Sequence, residues 1–248
     1  MIRRHDFNSA WWGEEVGIID DPGLFELKAD ALAAALRPFA WAELVQPLSR
    51  LPARRRLAEA GFFHTDTQVR FRLDLGRVRP SPSAAELNIE RADVAPFGVA
   101  PKEMRPFLHE RFYALPGADA ARVTARYAHW SAQLIRDHPR TCLRFLRDGG
   151  VQGWFLAQPE GSTVNLALAM LAAEAVTSGY DVYARAASEF ATLGFRVGWA
   201  SFSVGNTAVQ NIYASLGARF VEPRECWMWI RDPLVADQQS PHEKGPHS

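Results

Sequence analysis

The residues of this chain best suited to chemistry lie in one short stretch, residues 206–217, which reads N-T-A-V-Q-N-I-Y-A-S-L-G. Asn206 is a favourable N-cap, Gly217 stands where a left-handed C-cap belongs, and the apolar residues between them recur at helical spacing. Tyr213 follows Asn206 by two helical turns, so both polar groups lie near one face. With an ordinary pKa of about 10, a tyrosine is neutral at physiological pH and can donate a hydrogen bond or a proton. The pattern predicts a helix that presents a proton donor; the alternative is a tyrosine that only packs in the core.

A second candidate site follows the strand predicted at residues 163–171. This segment is apolar on both faces, which is typical of a central strand buried by helices. The sequence A-A-E-A-V-T-S-G then leads into a helix predicted at residues 179–193. A helix N-terminus offers unpaired N–H groups and a favourable dipole, so it can bind phosphate through the backbone alone. The start of this helix can therefore hold an anion near Gly179, and the alternative is a purely structural loop.

The C-terminal stretch resembles a known motif. An Asn at a helix start, a Tyr two turns later, a Leu-Gly end and a closing strand at residues 226–230 are similar to the C-terminal motif of the GCN5-related N-acetyltransferases (GNAT). The resemblance implies an α/β fold, the acyl-CoA N-acyltransferase fold, with a mixed central sheet and flanking helices. It also implies that Tyr213 is catalytic and protonates the departing coenzyme A thiolate, that acetyl-CoA is the cosubstrate, and that no metal takes part.

Further motifs resemble one branch of this superfamily. They are G-N-T-A at residues 205–208, Y-A-H-W at 127–130 and L-A-E-A-G-F at 57–62. The members of this branch acetylate amino sugars carried on nucleotides. The resemblance covers the chain up to about residue 232.

The resemblance assigns the cofactor to three stretches. The phosphate loop of the superfamily reads R/Q-x-x-G-x-G/A, and here the segment that begins at Glu174 matches only at Gly179. Glu174 replaces a cation or an amide, and Thr177 places a Cβ where phosphate normally approaches glycine. The hydroxyls of Thr177 and Ser178 can donate to phosphate instead, and either residue can also serve as an ordinary N-cap. Small residues on the strand predicted at 197–204 fit two strands that splay to admit the thioester. The predicted cofactor-binding residues are Leu168, Ala169, Met170 and Leu171 through their backbone, then Ala175, Val176, Thr177, Ser178, Gly179 and Tyr180 at the phosphates, and Asn206.

The order of predicted elements divides the chain into two parts. Residues 1–79 read as strand, helix, strand, helix, strand, and R-P-S-P-S-A-A at 79–85 has the turn chemistry of a linker. The later elements are a strand at 89–91, helices at 104–113 and 119–135, a hairpin of strands 141–147 and 151–158 around Asp148-Gly149-Gly150, strands at 163–171 and 197–204, helices at 179–193 and 206–216, and a strand pair at 219–230. We therefore expect a smaller, partial GNAT-like domain over residues 1–85, a catalytic domain over 86–232 and a disordered tail over 233–248.

The first part contains a faint internal repeat of the C-terminal motif. L-A-E-A-G-F-F from Leu57 matches Y-A-S-L-G-A-R from Tyr213, with Gly61 in the place of Gly217, and an alternating strand follows each. Leu57 stands where the tyrosine is expected. The repeat predicts a non-catalytic copy without a second cofactor, and the alternative is chance similarity of one helix and one strand.

Composition excludes several other classes of protein. Lys+Arg and Asp+Glu both number 28, so no net field attracts nucleic acid or an anionic membrane. The hydrophobic content is 48%, yet no run approaches the ~18 apolar residues of a membrane span, and the N-terminus lacks the hydrophobic region of a signal peptide. Two cysteines in apolar runs fit reduced core thiols, so we expect a soluble cytoplasmic protein. No Cys/His spacing predicts a metal site, and the eight tryptophans are compatible with a homodimer.

The acceptor follows from the resemblance alone. It implies direct attack, in a ternary complex, by the amine of a small molecule, first of all a nucleotide-linked amino sugar; other small amines and amino acids remain open. A group of cationic and aromatic residues is a candidate nucleotide site: Arg111, Arg122, Arg126, Phe112, Tyr113 and Trp130. The general base stays open among His109, Glu110, Tyr127, His129 and water. A different class of protein, a non-catalytic binding module with the same fold, is favoured by Glu174 and Thr177 and opposed by Tyr213.

Overall fold

The computed structural model describes residues 1–231; the tail predicted at 233–248 lies outside the described residues. The strands of this part are β1 (Ile2–Arg4), β2 (Val16–Ile19), β3 (Trp41–Pro47), β4 (Phe63–Asp74), β5 (Asn88–Arg91), β6 (Cys142–Arg147), β7 (Gly150–Glu160), β8 (Thr163–Leu171), β9 (Val197–Ser203) and β10 (Arg219–Ile230). The helices are α1 (Asp6–Trp12), α2 (Ala29–Leu36), α3 (Arg54–Glu59), α4 (Pro82–Ala85), α5 (Ala120–Asp137), α6 (Gly179–Thr192) and α7 (Thr207–Ser215). Within residues 1–231, none of these helices has the length and hydrophobicity that a membrane span requires.

The chain forms two compact units, and the first comprises Met1–Thr67, Glu110–Asp119 and the described residues from Arg224 onward. Its strands lie in the order β1-β2-β3-β10, with β2 and β3 parallel and the other neighbours antiparallel. A hydrophobic core forms on this sheet, and α2 and α3 contribute Leu32, Leu36 and Leu57 to it. The unit is therefore a small α/β layer with a core of its own.

The second unit comprises Gln68–His109 and Ala120–Pro223. Its strands lie in the order β4-β9-β8-β7-β6-β5, where β8 and β9 run parallel and every other neighbouring pair runs antiparallel. The helices α5 and α6 pack on β7, and α6 also packs on β8. The predicted α/β fold with a mixed sheet and flanking helices is thus confirmed.

Two predicted elements are wrong. Residues 104–113 do not form a helix: Met104 pairs in antiparallel fashion with Ala172, and only Arg111–Ala114 makes a 3₁₀ turn. Pro106 explains the difference, because proline lacks an N–H donor and disfavours the helical conformation of the residue before it. The strand pair expected at 219–230 is the single strand β10, which accommodates Pro223 in its interior.

The segment predicted as a linker is ordered. Residues 82–85 form the short helix α4, which is capped by the Ser81 hydroxyl, and Ala84 is completely buried. When the units are defined by contacts between residues, the first boundary along the chain lies inside β4, between Thr67 and Gln68. The boundary near residue 85 and the division into a partial and a catalytic domain stay predictions about domain organisation.

The two halves of the proposed repeat end their helices in the same way. After α7, Gly217 has φ +80°, the Gly217 N–H donates to the Ala214 carbonyl, and the Ala218 N–H donates to the Tyr213 carbonyl. After α3, Gly61 has φ +80°, and the corresponding bonds run to the carbonyls of Ala58 and Leu57. This pair of hydrogen bonds defines a Schellman cap. Glycine is favoured at this position because it adopts a positive φ without steric cost. The predicted C-cap at Gly217 is confirmed, and Leu57 is the local counterpart of Tyr213.

Candidate active site

The predicted catalytic and cofactor residues meet at one place in the second unit. Gly179 is the first residue of α6, and a Cβ added to it would lie 3.1 Å from Ile212 Cδ1 of α7 and 3.9 Å from Leu171 Cδ1 of β8. Tyr213 follows Ile212 along α7. The fold therefore joins the end of β8, the start of α6 and the middle of α7, which lie far apart in sequence.

The two parallel strands beside this point separate. β8 pairs with β9 only from Thr163↔Val197 to Asn165↔Trp199, although both strands continue beyond. β7 stays paired with β8 as far as Leu171, and β4 stays paired with β9 as far as Ser203. Between Asn165 and Leu168, three steps along β8 span two along β7, which is a β-bulge. The predicted splay is therefore present, and we call the space between residues 166–171 of β8 and residues 200–203 of β9 the strand gap.

The edge of β8 offers backbone groups to the strand gap. The Ala172 N–H bonds to Gln152 of β7, so by the two-residue period of a strand the N–H and C=O groups of Leu171 and Ala169 face away from β7. Those of Leu168 and Met170 face β7, so these two predicted residues contribute buried side chains instead of hydrogen bonds to a ligand. The Leu171 carbonyl already accepts from the Arg105 N–H at 3.2 Å. Ala169 and the Leu171 N–H therefore remain as groups that can pair with an extended ligand.

A side chain that the sequence did not single out holds the predicted phosphate loop. The Gln152 Oε1 accepts from the N–H groups of Val176, at 3.0 Å, and Thr177, at 3.1 Å. The Gln152 Nε2 donates to the Gly150 carbonyl, and the residue is 5% exposed. Two N–H groups that were predicted to bind phosphate are thus taken by a neutral amide oxygen.

The two hydroxyls of the loop have different roles. Ser178 is the N-cap of α6: its Oγ accepts from the Asp181 N–H and donates to Asp181 Oδ2. Of the two predicted roles of this hydroxyl, the structure therefore shows the N-cap, and its bond to Asp181 uses the proton that was expected to reach phosphate. Thr177 Oγ1 is buried and has no hydrogen-bond partner within residues 1–231. Because an unpaired buried hydroxyl is costly, Thr177 marks a place where a polar ligand group would be stabilised.

A carboxylate also stands in the first turn of α6. Asp181 accepts from the hydroxyls of Ser81, Ser83 and Ser178. Burial alone would raise the pKa of Asp181, and these hydrogen bonds outweigh it and lower the pKa below its ordinary value. The carboxylate is therefore ionised at neutral pH and adds negative charge near the predicted phosphate site.

Tyr213 stands in an aromatic cluster. Its ring centroid lies 3.9 Å from that of Phe71, 5.2 Å from that of Tyr183 and 6.0 Å from that of Phe202, and the residue is 4% exposed. Burial, with a contribution from Tyr183, raises the pKa of Tyr213 well above its ordinary value. Within residues 1–231 its hydroxyl has no hydrogen-bond partner. A protonated phenol without such a partner is free to donate to a ligand.

Tyr183 is a neighbour that sequence reasoning missed. It lies on α6, makes an edge contact with Phe155, and burial raises its pKa above the ordinary value. The sequence does contain a signal for it, because Tyr183 is an aromatic residue one helical turn after Gly179 on α6. Asn206, by contrast, is the predicted N-cap of α7, and its Oδ1 accepts from the Val209 N–H at 3.2 Å.

The structure describes the surroundings of two candidates for the acceptor site, His109 and Arg111. His109 Nδ1 lies 3.5 Å from the point where a Cβ on Gly205 would stand, so it is near the turn that leads into α7. In the first unit, Arg111 Nε donates to Glu43 Oε2 at 3.0 Å, and the guanidinium is 4.6 Å from the Phe112 ring. Burial alone would lower the pKa of Arg111, and Glu43 and Glu110 outweigh it and raise the pKa well above its usual value. Arg111 is therefore a paired cation inside the first unit.

Metal and thiol chemistry have no support in the described part of the chain. Across residues 1–231, no group of three His, Cys, Asp or Glu side chains is arranged to hold a metal ion. Cys142 and Cys226 are buried and unpaired, and burial raises the pKa of each thiol to about 12. Both stay protonated at neutral pH and behave as core residues, as predicted.

We predict that Gln152→Glu weakens coenzyme A binding about tenfold or more. The carboxylate can still accept from Val176 and Thr177, but it adds a negative charge beside the predicted phosphate site. Two like unit charges 4 Å apart repel by about 4 kcal/mol at an effective dielectric of about 20. A repulsion of only a third of that size already lowers the affinity about tenfold. Calorimetric titration measures the effect.

The matched control is Gln158→Glu. Gln158 lies on the same strand, and its Oε1 also accepts a hydrogen bond, from Asn165. Equal coenzyme A affinities of the two variants would contradict the predicted phosphate position.

Comparison with known proteins places this geometry in context. No protein-family model and no curated protein sequence matches the chain. Its structure is similar to a GCN5-related N-acetyltransferase from Kribbella flavida, with TM-score 0.51 and 14% identity over 89% of this chain and 83% of the other. A GCN5-related N-acetyltransferase from Sphaerobacter thermophilus matches with TM-score 0.51 and 13% identity over 81% of this chain, which spans 64% of that protein.

A third similar structure is that of a fungal multi-domain β-N-acetylglucosaminidase. One region of this enzyme is described as a GCN5-related glucosamine N-acetyltransferase. It matches with TM-score 0.55 and 12% identity over 92% of this chain and 31% of the other. These similarities show that the chain has the fold of the GCN5-related N-acetyltransferases, as the sequence predicted.

Proposed function

We propose that this protein is an N-acetyltransferase that moves acetyl from acetyl-CoA to the amine of a small acceptor. One observation carries the proposal: the strand gap lies beside α7, which bears a buried tyrosine whose hydroxyl has no hydrogen-bond partner within residues 1–231. The free edge of β8 suits an extended, amide-bearing arm, and the tyrosine suits a leaving group that needs a proton. Neither feature is needed to stabilise a purely structural sheet.

The residues present fit acetyl-CoA in most respects. Ala169 and the Leu171 N–H would pair with the amides of the pantetheine arm, and the start of α6 at Gly179 and Tyr180, with the orphaned Thr177 hydroxyl, would hold the phosphates. Bound there, acetyl-CoA supplies an acetyl thioester. Val176 and Thr177 contribute N–H groups only if Gln152 releases them.

The proton balance assigns one role to Tyr213. The amine nitrogen forms the new bond to the acetyl carbon, the carbon–sulfur bond breaks, and the sulfur leaves as a thiolate. Tyr213 gives its hydroxyl proton to this sulfur and regains one from solvent. The proton lost by the amine passes to a base that we do not assign, or to water. Because burial raises its pKa, Tyr213 is protonated at neutral pH before this step.

For the acceptor we propose an amino sugar carried on a nucleotide. The motifs at residues 205–208, 127–130 and 57–62 resemble TDP-fucosamine N-acetyltransferase in particular. One protein of the same fold contains a region described as a glucosamine N-acetyltransferase, which also concerns an amino sugar. Other small amines and amino acids are the alternatives. We further propose a cytoplasmic location, from the balanced charge and the two buried free thiols.

The second candidate is a binding module that has kept the fold without catalysis. Two observations favour it: Gln152 occupies two N–H groups of the phosphate loop, and Arg105 occupies the Leu171 carbonyl. In this case acetyl-CoA or the acceptor would bind without reaction, or acetyl-CoA would not bind at all. Tyr213 opposes it, because a core tyrosine without a hydroxyl partner gains nothing over phenylalanine.

The test is release of free coenzyme A thiol from acetyl-CoA in the presence of different amines. We expect TDP-fucosamine or another nucleotide-linked amino sugar to raise the rate well above the rate without acceptor, and free glucosamine and amino acids to do so less. Binding of acetyl-CoA without release for any amine would favour the binding module. Faster release with amino acids than with nucleotide sugars would overturn the proposed acceptor class.

A further inference from the structure

The phosphate loop, residues 172–178, carries an acid and no cation. Its charged side chain is Glu174, which is exposed, and Asp181 follows in the first turn of α6. A pyrophosphate brings negative charge, so these carboxylates oppose its binding. If the proposed function holds, a cation from another segment must offset them.

Arg105 reaches this loop from a segment distant in sequence. Its Nη2 donates to the Ala175 carbonyl at 2.9 Å. Its backbone is fixed beside the loop, because the Arg105 N–H donates to the Leu171 carbonyl at 3.2 Å and the Ala173 N–H donates to the Glu103 carbonyl at 2.8 Å. The intervening Met104 is 4% exposed and anchors the segment. The guanidinium is thus held where the loop turns toward α6.

Among residues 1–231, no carboxylate forms an ion pair with Arg105. Within the part of the chain that the structure describes, its side chain makes this one hydrogen bond to a neutral carbonyl and no ion pair with a carboxylate. The side chain is exposed, and a guanidinium has five N–H donors in a planar fork that suits phosphate oxygens. Most of these donors remain available while the bond to Ala175 is kept.

We propose that Arg105 binds the pyrophosphate of the cofactor and supplies the positive charge that the loop itself lacks. The inference rests on the proposed function, because it needs a coenzyme A ligand at the start of α6. A loop that uses its own cation or amide does not need this contact. Here Glu174 has that place in the loop, and a residue some 70 positions earlier in the chain takes over the role.

The experiment compares variants of Arg105 by titration with coenzyme A, with dephospho-coenzyme A, which keeps the pyrophosphate, and with pantetheine, which has no phosphate. Arg105→Gln keeps an N–H donor for the Ala175 carbonyl and removes the charge. Arg105→Lys keeps a charge. Lys102→Ala removes a neighbouring exposed cation of the same segment and is the matched control.

We expect Arg105→Gln to weaken coenzyme A and dephospho-coenzyme A equally, by roughly 10- to 100-fold, as for the loss of a charged hydrogen bond. Pantetheine binding should change less than twofold. Arg105→Lys should retain most of the affinity, and Lys102→Ala should match wild type.

Three results would overturn the inference. Unchanged coenzyme A affinity in Arg105→Gln would exclude a phosphate contact. An equal loss for pantetheine would show that Arg105 only holds the loop in place, and a loss confined to coenzyme A would assign it to the 3′-phosphate. If wild type binds none of the three ligands, the proposed function fails first, which separates that failure from an error about Arg105.

Discussion

Replacing Tyr213 with Phe should lower the turnover of acetyl transfer about 10²- to 10⁴-fold, as expected for the loss of a positioned proton donor. Stability and coenzyme A affinity should change little. The ring keeps its contacts with Phe71, Tyr183 and Phe202, and the deleted hydroxyl leaves no partner unpaired, because it has none within residues 1–231. Steady-state rates with the best acceptor, under conditions where chemistry limits turnover, provide the measurement.

The matched control for this variant is Tyr183→Phe. Tyr183 is the adjacent phenol, 5.2 Å from Tyr213 between ring centroids, and also has a raised pKa. We expect it to retain turnover within a few-fold of wild type. A Tyr213→Phe variant with wild-type turnover would remove this residue from the mechanism, and a large loss in Tyr183→Phe alone would assign the acid to α6.

The pH profile offers a related test. The pKa of Tyr213 is raised above the ordinary value of about 10, so the phenol stays protonated across the neutral and mildly alkaline range. Turnover should therefore not fall between pH 7 and about 9.5 through loss of this proton. A decline over that range that disappears in Tyr213→Phe would contradict the raised pKa.

The second large effect is expected at Gly153, where β7 passes β8 beside the phosphate loop. A Cβ on this residue would lie 2.4 Å from the Met170 carbonyl oxygen and 3.3 Å from Leu171 Cα, both backbone atoms. Because neither can move away without shifting the strand, Gly153→Ala should lower the free energy of unfolding by about 2–3 kcal/mol. Urea denaturation measures this. The displaced end of β8 should also weaken coenzyme A binding.

Gly150→Ala is the control on the same strand. Its new Cβ would meet nothing nearer than the Arg147 carbonyl oxygen at 3.5 Å, an ordinary contact. Its stability should stay within about 0.5 kcal/mol of wild type. If Gly153→Ala is as stable as Gly150→Ala, the close approach of β7 and β8 at Gly153 does not constrain the end of β8.

Local features of the motif were predictable from sequence. The Asn206 cap and the Gly217 cap each depend on residues within one or two turns, so residue type alone indicates them. The turn after β6 is a similar case. Asp148 and Gly149 have φ of 51° and 78°, the positive values that an Asp-Gly turn requires.

The contacts that shape the phosphate loop were not predictable, because they join segments distant in sequence. Gln152 lies 24 positions before Val176, and Arg105 lies 70 positions before Ala175. Nothing in the composition around either residue distinguishes it from an ordinary polar strand or surface residue. The wrong prediction of a helix over residues 104–113, which contain Pro106, also obscured the position of Arg105.

The strand gap was predictable only in part. Small residues on the strand now seen as β9 indicated that the strands separate, but not where. The structure shows that pairing ends at Asn165 and Trp199, next to the bulge in β8. A bulge is set by the register of three strands at once, which a single sequence does not encode in any short pattern.

These long-range contacts change the meaning of the unusual loop. From sequence, Glu174 and Thr177 favoured a loop that had lost its cofactor. In the structure Thr177 carries an unpaired buried hydroxyl, and Arg105 brings an uncompensated cation to the same loop. Both observations point to a phosphate site assembled differently, although Gln152 has to be displaced or bypassed.

Calorimetric titration of the wild-type protein with coenzyme A tests the central claim most directly. A single cofactor in the strand gap predicts saturable binding of one molecule per chain, since the repeat around Leu57 is predicted to be a copy without a second cofactor. It also predicts a higher melting temperature with the ligand present, because the ligand binds only the folded state. No detectable binding would contradict the proposed enzyme, and two molecules per chain would contradict the assignment of the first unit as a non-catalytic copy.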